Sequence, residues 1–330
     1  MSDYKSRKVL VTGAGGFIGR ELVRLLLAEG AEVTAFLRYN SHNVADYTAL
    51  FENNADLKII RGDIEDAAAM HQAVRGHEYV FHLAALVGIP YSYVHPGEVF
   101  NTNLLGTMNV LMAVKDHPDV KRLVVTSTSE VFGSAQYVPM DEKHPKHAQS
   151  PYAATKVGCD ALAGSFHCSF KTPVVILRPF NTFGPWQSMR AVIPSIIVQA
   201  LVKKKLKLGN TDTTRDFTYV SDTASGFLRA GMAGEAALGE EINLGTGVEV
   251  KISDIVRKVS ALTGVALDVE PDQQRIRPTA SEVTRLCSEN SKAKRVLGWV
   301  PQYDFDAGLA KTLEWFRSNL TQYNPEEYSV

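Results

Sequence analysis

Thirty residues, Ser127 to Lys156, hold the side chains best suited to chemistry. Thr128-Ser129-Glu130 is followed some twenty residues later by Tyr152-Ala153-Ala154-Thr155-Lys156. The first group offers hydroxyls and a carboxylate at the end of an apolar run, Leu123-Val124-Val125. The second offers a phenol and an ammonium at i and i+4, which on a helix share one face. A phenol poised to take a hydroxyl proton assists hydride transfer. A carboxylate beside it can also pull a carbon-bound proton, which opens elimination. The bland alternative for Glu130 is an exposed carboxylate at a strand end.

Those residues need a scaffold, and the preceding sequence describes one. Short β-branched or aromatic runs at 8–12, 32–37, 57–60, 79–83 and 123–126 read as strands bounded by turn residues. Helical patterns lie between them at 17–29, 67–74 and 98–115. A further helix is expected over 151–170, with Pro151 suited to its first turn, and a strand over 173–177. The expected fold class is α/β, a Rossmann-type doubly wound parallel sheet with helices on both faces. Thr128 and Glu130 then fall at the carboxyl end of the fifth strand, where open sheets build their sites. After Arg178 the texture changes, with Pro and Gly crowded into 179–185. Residues 1–178 are expected to form a dinucleotide-binding domain and 179–330 mainly a smaller mixed α/β substrate lobe. Residues at about 210–250 are free to return to the sheet.

The first strand runs into Gly13-Ala14-Gly15-Gly16-Phe17-Ile18-Gly19 and then a helix. Glycines there permit a tight turn and close approach of backbone N–H groups to a diphosphate at a helix N-terminus. Strand before and helix after is the context that makes this a dinucleotide loop. The end of the second strand, Phe36-Leu37-Arg38-Tyr39, lacks the carboxylate that would bind the 2′-hydroxyl of NAD. Arg38 leans toward the 2′-phosphate of NADP, or else stacks on adenine. Asp63, in Gly62-Asp63-Ile64, either holds the adenine amino group or caps a helix. With such a cofactor bound, its positive nicotinamide and Lys156 are expected to lower the Tyr152 phenol from about 10.

Composition excludes several classes. The chain has 330 residues, 45% hydrophobic and 22% charged, which suits a soluble globular protein. Its net charge of −1 gives no case for nucleic acid or a membrane surface. Lys203-Lys204-Lys205 reads as a solvated helix end. Cys159, Cys168 and Cys287 lack metal-ligand spacing, fit a reducing cytoplasm, and leave no metal expected. His82, His144 and His147 form no metal-spaced set, and His82 reads as a packed strand histidine. The polar N-terminus shows neither a leader nor a membrane span.

Together, GxxGxxG, Gly62-Asp63-Ile64, His82-Leu83-Ala84-Ala85, the 101–107 segment, YxxxK and Arg178-Pro179-Phe180-Asn181 resemble the extended short-chain dehydrogenase/reductases of nucleotide sugars. The resemblance covers essentially the whole chain. Ser127–Gly133 is similar to the active-site segment of the sugar-nucleotide 4,6-dehydratases. The 89–93, 135–139 and 215–220 stretches resemble the subgroup named for legionaminic-acid biosynthesis, which dehydrates GDP- or UDP-N-acetylglucosamine. The resemblance implies a mechanism. Tyr152, tuned by Lys156, takes the C4 hydroxyl proton while Thr128 bonds that oxygen, and the C4 hydride passes to the nicotinamide. Glu130 then removes the acidified C5 proton, water leaves from C6, and the hydride returns to C6. The cofactor, NAD or NADP, is regenerated each turnover and stays bound. Gly13, Gly16, Phe17, Ile18, Gly19, Arg38, Asp63, Ile64, Leu83, Ala84, Ala85, Tyr152 and Lys156 are its expected contacts. For the nucleotide sugar they are Tyr91, Ser92, Tyr93, Asn181, Arg190, Arg215 and one of Arg275 or Arg277. Arginine suits the diphosphate as a permanent forked donor.

One position departs from the dTDP-glucose dehydratases, which carry an acidic Asp where this chain has Ser129. The GDP-mannose dehydratases also have Ser there, leaving Glu130 or a water to protonate the leaving hydroxyl. The alternatives are a UDP-glucuronate decarboxylase, which loses carbon dioxide from the same 4-ketone, and an NDP-sugar 4-epimerase. A cofactor-binding sensor without turnover is disfavoured, since both Tyr and Lys of YxxxK are present. By resemblance, a homodimer is expected through the 98–115 and 151–170 helices as a four-helix bundle.

Overall fold

The computed structural model describes residues 4–39, 50–51 and 54–323. Among them, seven strands make one parallel sheet: β1 (Lys8–Thr12), β2 (Glu32–Leu37), β3 (Leu57–Arg61), β4 (Tyr79–His82), β5 (Arg122–Thr126), β6 (Val174–Pro179) and β10 (Glu241–Leu244). Their order is β3-β2-β1-β4-β5-β6-β10. The order reverses between β1 and β4, the switch point at which such sheets open a crevice. Central strands are covered on both faces and are therefore apolar nearly throughout, as in the fully buried Tyr79–His82.

Helix α1 (Phe17–Ala28) shares one face of the sheet with α8 (Val220–Gly231), around Leu22, Leu26, Phe81 and Phe227. On the other face, α2 (Ala67–Val74), α5 (Gly106–Asp116) and α6 (Pro151–Phe170) bury Met70, Val110, Leu111 and Phe166 against Leu10, Val80 and Leu123. Residues 220–244 thus return to the larger sheet. The smaller lobe has its own core, in which α7 (Val192–Val202), α9 (Ile252–Thr263) and α11 (Phe305–Ser318) pack on β7 (Asn181–Phe183) and β9 (Thr214–Tyr219). β11 (Glu249–Lys251) completes the three-stranded sheet, β8 (Lys205–Leu208) pairs with β12 (Asp268–Pro271), and α10 (Ser291–Leu297) packs near β10.

The expected helix over 98–115 is broken into α4 (Pro96–Phe100), a π-helical stretch Asn101–Leu105, and α5; a short α3 (Ile89–Val94) precedes them. The widened turn aims Asn103 inward. Its Oδ1 accepts from Leu86 N–H at 2.8 Å, and its Nδ2 donates to Leu86 O at 3.0 Å and Thr155 Oγ1 at 3.1 Å. An α-helical register would break these bonds, a common reason for a π-bulge near a site.

By contrast α6 keeps its expected span, because its ends are coded locally. Ser150 Oγ accepts from Ala153 N–H at 3.1 Å, Pro151 occupies the first turn, and Lys171 closes the helix in the left-handed region at φ 58°.

Candidate active site

One cavity of about 730 Å³ runs across the carboxyl ends of β1, β4, β5 and β6. Gly13, Gly16, Phe17, Ile18 and Gly19 line one end, with Arg38, Asp63, Ile64, Leu83, Ala84 and Ala85. Gly13 has φ +70°, and a Cβ there would lie 2.6 Å from Ala84 N. A Cβ on Gly19 would lie 2.2 Å from Gly13 O, so the loop admits no side chain at either place. Helix α1 starts beyond Gly16 with no side-chain cap and no acidic residue in its first turn. Its first N–H groups are left to an anion.

Arg38 Nε lies 3.2 Å from Asp63 Oδ2, and Nη1 lies 3.9 Å from Glu98 Oε1. One cation faces two carboxylates, so charge at this end does not favour a further phosphate, contrary to the lean drawn from Arg38 alone. Asp63 Oδ1 accepts from Glu65 N–H at 3.1 Å, while the cap of α2 is Asp66, which excludes the capping role for Asp63.

At mid-cavity stand Thr128, Glu130, Tyr152 and Lys156. Thr128 caps a short 3₁₀ turn after β5, with Oγ1 accepting from Glu130 N–H at 3.3 Å. Lys156 is buried and donates to Thr126 O at 2.9 Å, which ties α6 to the end of β5. The chain's own groups move the Tyr152 phenol opposite to the expected direction. Burial raises its pKa well above 10.0; a hydrogen bond with Thr128 lowers it, and the nearby Glu130 carboxylate raises it again. Lys156 spends its charge on the Thr126 carbonyl and is itself pushed down by burial. Ser129 is buried and does not line the cavity.

The far end carries Tyr91, Asn181, Arg190 and Arg277. Asn181 Oδ1 is buried with no hydrogen-bond partner. Arg277 Nη1 stands 3.6 Å from Glu130 Oε2. Arg215 is buried off the cavity, with Nη1 donating to Thr214 O at 2.9 Å and Nη2 lying 3.8 Å from Glu282. Arg275 points away, bonded to Asp272 at 3.1 Å and Ser195 Oγ at 2.9 Å. Tyr91 gives its hydroxyl proton to Glu98 Oε2 at 2.5 Å. Its two neighbours on α3 do not line the cavity: Ser92 donates to Ile89 O at 2.7 Å, and Tyr93 bonds Ser281 at 2.6 Å. Sequence reasoning missed Thr182 and Gln187, which line the cavity, and Glu98, which stands behind it as partner of Arg38 and Tyr91. Thr182 follows Asn181 in the Pro/Gly-rich stretch, a signal that could have found it; Gln187, two residues beyond that stretch, and Glu98 carried none.

The sequence profile of the GDP-mannose 4,6 dehydratase family matches residues 10–312. The chain belongs to the nucleotide-sugar 4,6-dehydratase family. Like other members, it is an extended short-chain dehydrogenase/reductase. It is 30% identical to a dTDP-glucose 4,6-dehydratase of Xanthomonas campestris pv. campestris, over 94% of this chain and 93% of the relative. It is 31% identical to a UDP-glucose 4-epimerase of Mycolicibacterium smegmatis, over 94% and 99%. Among solved structures it resembles DesIV, a dTDP-glucose 4,6-dehydratase from Streptomyces venezuelae with NAD and TYD bound. There the TM-score is 0.88 at 29% identity, covering 97% of this chain and 100% of that one. Membership carries the hydro-lyase reading at the level of the family. Among the described residues no helix is long and apolar enough to cross a membrane.

Proposed function

We propose that this chain dehydrates an NDP-hexose to its 4-keto-6-deoxy form. The observation that carries the reading is Glu130 beside Tyr152 on one cavity wall, reached from the same strand end as Thr128. An epimerase needs the phenol; elimination also needs a carbon base, and Glu130 is positioned to be one. The glycine cradle, the uncapped start of α1 and the Arg38–Asp63 pair fit a dinucleotide, and NAD better than NADP on local charge. When bound, it supplies the acceptor and donor for the C4 hydride.

The residues of this chain divide the remaining work. Thr128 and Tyr152 face the sugar C4 hydroxyl, and Tyr152 takes its proton. Lys156 holds α6 to β5 and so fixes the phenol. Glu130 takes the C5 proton. Arg277, Arg190 and Asn181 hold the diphosphate side. For the sugar, N-acetylglucosamine on GDP or UDP follows from the resemblance of 89–93 and 135–139, whereas the curated dehydratase relatives act on dTDP-glucose. The apolar side chains of Phe100 and Leu105, half exposed beside α5, support the expected homodimer.

Mass spectrometry of purified protein with UDP- and GDP-N-acetylglucosamine, GDP-mannose, dTDP-glucose and UDP-glucuronate tests the reading. Loss of one water from one donor is expected. A C4 epimer of unchanged mass would favour the epimerase relatives instead, and loss of carbon dioxide a decarboxylase.

A further inference from the structure

Glu130 and Arg277 reach the cavity from opposite sides. Glu130 stands on the turn after β5 of the large sheet, Arg277 in the irregular stretch after β12 of the smaller lobe. Their closest approach, 3.6 Å, is an ion pair without a hydrogen bond. The Nη1 atom that makes it is buried and has no hydrogen-bond partner. A guanidinium in that state covers the carboxylate but is not locked to it.

Its surroundings differ from it. Arg215 is more deeply buried, and its charge is pushed down by burial, favoured by Glu130 and opposed by Arg277. It is tethered by the Thr214 carbonyl and by Glu282. The cluster therefore holds two guanidiniums against two carboxylates, one guanidinium tied from behind and one facing the cavity.

We propose that Arg277 is exchanged between Glu130 and the diphosphate of an arriving nucleotide sugar, so that the carboxylate is uncovered only when substrate is seated. This rests on the nucleotide-sugar reading above. A diphosphate offers the guanidinium paired oxygens at hydrogen-bond distance, which the 3.6 Å contact does not. Arg215 stays behind, so Glu130 is not left as an uncompensated buried charge. Arg277 thereby makes the readiness of the base conditional on a part of the substrate that does not react.

Linkage turns this into a measurement. If Glu130 and phosphate compete for Arg277, removing the carboxylate charge must tighten phosphate binding. UDP, GDP and dTDP would be titrated by calorimetry into wild type, Glu130→Gln, Arg277→Met and the double variant. For whichever nucleotide binds, Glu130→Gln should tighten binding roughly three- to tenfold, the range of a half-buried ion pair. Arg277→Met should weaken it, and adding Glu130→Gln to that variant should change nothing further. Glu130→Ala must repeat the tightening, with melting curves confirming that each variant is folded. Equal affinity of wild type and Glu130→Gln overturns the exchange and leaves the dehydratase reading standing. So does tightening that survives Arg277→Met, since that is general repulsion between carboxylate and phosphate. If no nucleotide binds wild type, the nucleotide-sugar reading falls and the exchange falls with it.

Discussion

Two arginines stand on opposite sides of the reactive wall and are held in opposite ways. Arg178, on β6, is fully buried. It donates to Asp160 at 2.8 Å, Glu241 at 2.5 Å and Asn243 at 3.2 Å, and lies over the Phe132 ring at 4.6 Å. Burial works against its charge, and Asp160 and Glu241 more than restore it. Lys146 adds a second cation to the same two carboxylates. Arg277 has a single carboxylate at 3.6 Å and open cavity beyond it. An arginine with every nitrogen engaged fixes geometry, here the distance of α6 from β6 and β10, and so the place of Tyr152. An unsaturated one leaves a charge that substrate can recruit. The contrast separates residues that build the site from residues that respond to it.

The largest effect tests the responsive side. Glu130→Gln should lower turnover by about 10²- to 10⁴-fold, the usual worth of a positioned general base. Stability should move by about 1 kcal/mol or less, because the pair it breaks faces the cavity. Product formation by mass spectrometry and a thermal melt measure both. A variant that still loses water at the wild-type rate would remove Glu130 from the chemistry.

The building side should show the reverse. Arg178→Met strands Asp160 and Glu241 in the interior, and breaking a buried pair costs about 3–5 kcal/mol. The melting temperature should fall steeply, while protein that remains folded at low temperature keeps its specificity. A melt close to wild type would mean Lys146 alone satisfies both carboxylates, and the contrast between the two arginines would shrink.

His82 belongs with the saturated set. Thr107 gives its proton to Asn103 O at 2.6 Å, so it must accept from His82 Nε2–H at 3.0 Å. Nδ1 then accepts from Thr12 at 2.8 Å. Both nitrogens are thus used in the neutral ring. Burial first, and then Lys156, push its pKa from 6.5 to about 3. A group whose folded pKa is depressed contributes stability that is present above the unfolded pKa and lost as pH falls. The loss therefore begins near 6.5 and continues toward about 3. By about pH 4.5 it should reach roughly 3 kcal/mol. Melts of wild type and His82→Gln at about pH 7.5 and pH 4.5 check the sign: wild type should lose more. Parallel losses would show that other groups set the acid limit.

The same division explains what the sequence could reveal. Spans 8–12, 67–74 and 151–170 fold where their patterns place them, because caps, prolines and apolar periodicity act within a few residues. The 98–115 helix breaks because Asn103 answers to Leu86, a partner chosen by the tertiary fold. Arg275 and Arg277 are two residues apart in a stretch with no period, and pattern cannot say which faces the cavity. Arg38 looked like a phosphate ligand until Asp63 and Glu98 appeared beside it. Local order was legible, whereas pairings between charges from distant segments were not.

The smallest expected effect falls on Ser129, the residue whose type looked most consequential. In a 3₁₀ turn successive side chains are about 120° apart, so three consecutive residues cannot all face one cavity. Thr128 and Glu130 line it, and Ser129 is directed into the protein. Ser129→Ala should therefore leave turnover within about threefold and cost about 1 kcal/mol of stability for its buried hydroxyl. A proton donor to the leaving hydroxyl would instead lose on the order of a hundredfold. Turnover of Ser129→Ala thus decides whether the leaving proton comes from this turn at all, or from Glu130 and the water around it.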